Sequence, residues 1–227
     1  MKQLIFFITI AATFLLGCQS NPNTVKEDVS FYKVPLVCGA APEIGCGSRI
    51  KPLFVATEKE KAVKESWTNR QGTVIAFVWN GHNTINEQML EDLFVKNNIE
   101  AELITDTSIL KELRASFRDK GRWYEGMDVD QLSIEEAGVI ASQTTGFALE
   151  EGFVDSTQAA TIKSDIENYF KTELVQVRTL ENLTSDSTQE RWRKDAYNII
   201  VNRVGKEKAD KIAHAYEKKL SEIESCD

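Results

Sequence analysis

Two residues in this sequence have types and spacing suited to chemistry, Cys38 and Cys46. They enclose Gly39-Ala40-Ala41-Pro42-Glu43-Ile44-Gly45, a loop with glycine at both ends and a central proline that can turn back on itself. Three chemistries fit such a pair: a structural disulfide, a soft-metal thiolate pair, or a redox couple. Gly47-Ser48 can start a helix immediately afterwards, with Ser48 as candidate N-cap. The free N–H groups and dipole of a helix start lower the pKa of a nearby thiol, and Arg49 one turn in stabilises a thiolate further. Two thiolates suit Cu(I) or Hg(II) better than Mg or Ca. Zinc normally takes four ligands, and only His82 and Cys226 are available to complete a set. The same arginine and helix start equally suit a reactive thiol or a small anion, so the residue pattern leaves these readings open.

The compartment follows from the first eighteen residues. Lys2 precedes the uncharged run Leu4 to Leu16, a short positive region followed by an apolar one. Thirteen helical residues span about 20 Å, too little for a hydrocarbon core near 30 Å. The run ends in Leu15-Leu16-Gly17-Cys18, which resembles the lipobox of bacterial lipoproteins. That resemblance implies cleavage before Cys18, a diacylglycerol thioether on its sulfur and an acylated amino terminus. Gln19 stands where an Asp would favour inner-membrane retention in such lipoproteins, so the expected location is the outer membrane, facing the periplasm. Residues 1–17 are then signal peptide, and 18–27 a polar tether. Cys38, Cys46 and Cys226 remain, an odd number for an oxidising compartment. Cys226, the penultimate residue, lies where chains fray.

The elements that must position the cysteines divide by character. Residues 28–105 mix strand and helix signals, whereas residues 106–227 contain no proline and read almost wholly as helix. Val29 to Val37 reads as a strand ending at Cys38. A helix follows from Ser48 to about Lys61, then a short strand around Val63, Glu65 and Trp67. Asn69-Arg70-Gln71-Gly72 reads as a turn. Thr73 to Trp79 is apolar on both faces and is expected at the sheet centre. Thr84 is a candidate cap for a helix carrying Ile85, Met89, Leu90, Leu93 and Phe94, and Glu100 to Thr105 closes the series. Strand, helix, strand, strand, helix, strand is the ferredoxin-like βαββαβ plan, with one sheet face buried under two helices. The expected fold class is therefore α+β, with this domain followed by an all-α helical one.

This stretch resembles the heavy-metal-associated domains of copper chaperones and mercury-binding proteins. In those, a Met-x-Cys-x-x-Cys loop follows the first strand and leads into the first helix. Here Ile44-Gly45-Cys46-Gly47-Ser48-Arg49 takes that place, with Cys46 matching the first family cysteine and Arg49 standing where the second would be. VKESWTNRQGTVIAFVW resembles the second hairpin, and LEDLFVKNNIEAELI the closing helix and strand. The likeness covers about one third of the chain and implies the fold and a soft-metal function at Cys38 and Cys46.

In the helical half, Asp106-Thr107 is a candidate cap for a helix through Asp119. Residues 121–131 read as an aromatic linker. Ser133 with Glu136 forms a capping-box pattern. Further helices are expected from Asp155 or Ser156, over Ser187 to Val204, and over Lys206 to Glu224, with His214 on a polar face. Their apolar stripes read as core faces, one of which could dock an envelope partner.

Composition bounds the function. Twenty-seven Lys and Arg against thirty-five Asp and Glu give −8, which argues against a nucleic-acid partner and predicts weak repulsion from anionic lipid heads. No phosphate loop, nucleophile elbow or His-Glu-x-x-His is present, and Asp128 and Asp130 lack the spacing of an EF-hand loop. The expectation is a non-enzymatic protein. The leading reading is a soft-metal binder; beside it stand an envelope adaptor with a structural Cys38–Cys46 disulfide and a thiol oxidoreductase.

Overall fold

The computed structural model describes residues 27–38, 41–81 and 86–224. Along the chain run β1 (Val29–Lys33), β2 (Val37–Cys38), β3 (Ala41–Gly45), α1 (Gly47–Thr57), β4 (Val63–Asn69), β5 (Val74–Trp79), α2 (Glu87–Lys96), β6 (Glu102–Leu103), α3 (Thr107–Ser116) and β7 (Trp123–Glu125). A 3-10 turn (Gly126–Val129) leads into α4 (Asp130–Glu150), α5 (Ser156–Gln176), α6 (Leu180–Thr184), α7 (Asp186–Val204) and α8 (Lys206–Glu224). The chain is thus α+β, with its sheet mainly N-terminal and helices after it.

β5 consists of apolar residues only, and all six are buried. Such a strand has no face for water, and it lies at the middle of the five-stranded sheet β6-β1-β5-β4-β7. Every neighbouring pair is antiparallel. The turn between β4 and β5 falls where the sequence places it, with Gly72 at φ +68°. Leu36 O would lie only 2.3 Å from a Cβ there, so glycine is required twice over.

One sheet face packs Tyr32, Ile75, Phe77 and Trp79 against Ile50, Leu53 and Phe54 of α1 and Leu90 and Phe94 of α2. The other face is also covered, contrary to the two-helix expectation. Phe31, Val74 and Ala76 lie beneath Leu110, Leu113 and Phe117, with Trp123 closing the side. The cause is local: α3 is amphipathic, capped by Asp106 as expected, and folds its apolar stripe back onto the sheet. Residues 121–131 do not form a linker. Trp123–Glu125 pairs with β4 as an edge strand, and α4 begins at Asp130.

The first strand is shorter than expected. Pro35 lies in a break after Lys33, and the chain resumes as the small β2–β3 hairpin that carries Cys38. In the helical half, α4 runs through the centre with Ala137, Ala141 and Ala148 buried, against Ile162, Ile166 and Phe170 of α5 and Trp192 and Ile200 of α7. Asp155 and Gln158 form a true capping box at α5. The two halves share a core, because Val129 and Leu132 belong to the cluster around Phe54. No helix among the described residues is long and apolar enough to cross a membrane.

Candidate functional site

Cys46, Ser48, Lys51, Asp130 and Glu136 meet where α1 lies against α4. Cys46 is the N-cap residue of α1, with extended backbone angles, and its side chain caps nothing. Its N–H bonds to Leu36 O at 2.8 Å, which ties the helix start to the break between β1 and the hairpin. Ser48, expected as the cap, lies inside the first turn and is buried. The first turn contains no acidic residue of its own.

Glu136 supplies the missing cap from α4. The Cys46 thiol donates to Glu136 Oε1 at 3.3 Å. Ser48 Oγ donates to Oε2 at 3.2 Å, and the Ser48 backbone N–H also points at this carboxylate. Cys46 Sγ and Ser48 Oγ are 3.3 Å apart. Glu136 is therefore an acceptor set against the positive end of α1 by a helix far along the chain. Burial nevertheless holds its carboxyl above the usual range, while the Cys46 and Ser48 donors and the Lys51 charge pull the other way.

Lys51, one turn further into α1, has no exposed surface. Its ammonium donates to Leu174 O at 2.9 Å and Val175 O at 3.1 Å, two carbonyls at the C-terminal end of α5, and it pairs with Asp130. Burial depresses its pKa, and the Asp130 bond opposes that. α1 is thus capped by the helical half and in turn caps it.

This arrangement decides the state of the thiol. Burial, and then the Glu136 charge, push Cys46 up to about 12 against an ordinary 9.0. The Arg49 N–H and the Ser48 hydroxyl act in the stabilising direction but do not prevail. The thiolate expected from the helix start is therefore not formed at neutral pH. The Arg49 guanidinium is turned away and donates to Asn98 O at 2.9 Å. Only its backbone serves the sulfur.

Cys38 is buried at the end of β2, in a small apolar cluster with Ile44, Cys46 and Val139. Both cysteines are thiols, and no disulfide joins them here. Among the described residues, no group of three or more His, Cys, Asp or Glu side chains is arranged to hold a metal ion. His214 is exposed on α8. Cys18, His82, Thr84, Ile85 and Cys226 lie outside the described residues.

Sequence reasoning missed Glu136 and Lys51 as partners of the cysteine loop. Ser133 and Glu136 carry the capping-box spacing, but α4 begins at Asp130, so both lie within the helix. The available signal was a lysine in an otherwise apolar stretch, Ile50 to Ala56, which demands a buried counter-charge. Ser133 Oγ is fully buried and crowds the Gly47 backbone, where a Cβ would stand 2.6 Å away.

Comparison with protein-family models, curated proteins and solved structures gave no match to this chain.

Proposed function

We propose that this chain is a lipid-anchored, non-catalytic protein of a bacterial envelope, and that its cysteine loop is a structural joint. The observation that carries the reading is the hydrogen bond from the Cys46 thiol to Glu136, which makes this sulfur a neutral donor between the two halves. A thiol-disulfide couple or a thiolate metal site needs the opposite charge state. The anchor rests on Leu15-Leu16-Gly17-Cys18 and the apolar run before it. The sheet order β6-β1-β5-β4, with α1 and α2 on one face, supports the ferredoxin-like plan, enlarged by β7 and the β2–β3 hairpin. The function is then exercised through surfaces, as in an adaptor for an envelope partner.

A second reading, soft-metal binding, is favoured by one observation: Cys38 and Cys46 share a cluster. An anaerobic Cu(I) titration against a competing chelator separates the two. The reduced chain and its Cys38→Ser, Cys46→Ser variant are expected to take up the metal equally and weakly. Tight one-to-one uptake lost in the variant would replace the joint with a metal site.

A further inference from the structure

The chain carries an overall charge of −8, yet one stretch has the opposite sign. From Lys111 to Arg122 there are five basic residues and two acidic ones, a local +3. Lys111 and Arg114 lie three apart on α3, whose apolar stripe of Leu110, Leu113 and Phe117 faces the sheet. The basic side chains are therefore left outward: Lys111, Arg114, Lys120 and Arg122 are all exposed, as are Glu112 and Asp119, the latter 3.5 Å from Arg122.

The same face holds the chain's exit toward its amino terminus. Glu27 accepts from Lys64 at 3.0 Å and from Arg118 at 2.7 Å. Arg118 also pairs with Glu65 and lies over the rings of Trp67 and Phe117, 5.6 and 5.2 Å from their centroids. It does so from φ +67°, a conformation uncommon outside glycine. Only eight residues separate Glu27 from Cys18. Fully extended, they reach about 30 Å.

We infer that this basic face, carried by α3 and the turn after it, lies against the anionic phospholipid headgroups of the membrane that holds the anchor. The inference rests on lipidation at Cys18, and it adds which surface meets the bilayer. The net negative charge does not oppose it, because at 0.15 M salt charges beyond about 8 Å are screened and the nearest ones decide. Arginine and lysine beside a half-buried tryptophan also match the chemistry of the membrane–water boundary.

Tryptophan fluorescence provides the test. Trp79, Trp123 and Trp192 are buried, at 3%, 5% and 7% exposure, which leaves Trp67 as the reporter nearest this surface. The full chain, recovered with its lipid, is placed in vesicles of phosphatidylethanolamine and phosphatidylglycerol that contain a lipid with a nitroxide on its headgroup. Quenching is expected in the natural chain and should vanish in Trp67→Phe. It should fall by at least half in Lys111→Glu, Arg114→Glu, Lys120→Glu, whose side chains are exposed and whose thermal midpoint serves as the folding control. The mass of the amino-terminal peptide is read on the same sample. A missing acyl mass removes the anchor and this inference with it. An acylated chain whose Trp67 stays unquenched leaves the anchor standing and overturns the face, as does equal quenching in the charge-reversed variant.

Discussion

The Glu136 carboxylate caps the helix that begins at Cys46, although ninety positions separate the two residues. Each half of the molecule leaves a helix end unfinished and the other completes it. Glu136 serves the start of α1, and Lys51 serves the end of α5.

Removing the first of these caps has a defined cost. Glu136→Ala strands the Cys46 thiol, the Ser48 hydroxyl and a backbone N–H, and should lower unfolding stability in urea by about 2–3 kcal/mol. Glu136→Gln keeps an acceptor in place without the buried charge and should stay within about 1 kcal/mol of the natural chain. Equal losses in the two variants would mean that the charge, not the cap, holds the joint.

Acid should favour the folded state through this residue. Burial raises the folded Glu136 pKa above its ordinary 4.5. Between 4.5 and that higher value the folded chain binds a proton that the unfolded chain has released. Its contribution to stability is present below 4.5 and is lost as the pH rises through the folded value. Denaturation curves taken from neutral pH down to 4.5 should show the natural chain gaining on Glu136→Gln. A difference independent of pH would place the carboxyl in water.

Lys51→Ala should be the most damaging single change. It leaves Asp130 without its buried partner, exposes the Leu174 and Val175 carbonyls to a cavity, and should cost about 3–5 kcal/mol. Lys51→Met fills the space and should recover part of that loss, by calorimetry or urea titration. No recovery would assign the whole effect to the lost charge.

Gly47→Ala tests the closeness of the joint. A Cβ would stand 2.5 Å from the Ser133 backbone N, and the backbone cannot turn aside as a side chain could. The helices must separate, at about 2–3 kcal/mol. Ser133→Gly should not restore the stability, since the Ser133 backbone N remains, and a full rescue would shift the blame to the hydroxyl.

The Cys46 thiol should be slow to alkylate. At about pH 8, a group titrating near 12 is ionised about a thousandfold less than one at 9.0. Iodoacetamide should label Cys46 at least about tenfold more slowly in the native chain than in urea, by peptide mass. Equal rates would overturn the raised pKa, and faster labelling of the native chain would reopen the redox reading.

What the sequence discloses follows range. β5, the Asn69–Gly72 turn, the Asp155 cap and the span of α8 each depend on neighbours within a few residues, and the chain spells them out. The Cys38 and Cys46 positions were legible as a pair, and both lie in one small cluster. Their chemistry was not, because a thiol's charge depends on what lies beside it, and Glu136 arrives from another helix. The local pattern even pointed elsewhere: Ser133 and Glu136 spell a capping box, and α4 overrides it by starting at Asp130. Residues 121–131 misled for a related reason. An edge strand of three residues carries too few positions to alternate, and aromatic residues flanked by glycine read as a loop.

The Lys51 bond has a consequence in time. A chain that emerges amino terminus first presents Lys51 long before Leu174 exists, for 123 residues separate the two. At about 5–20 residues per second, the ammonium waits for roughly ten seconds with no carbonyls to receive it. During that interval the sheet can still close over Ile50, Leu53 and Phe54, while Lys51 faces the place that α4 and α5 will fill and keeps its charge in water. The amino-terminal half of this protein is made before the helix end that it completes, and the joint can form only once α5 follows.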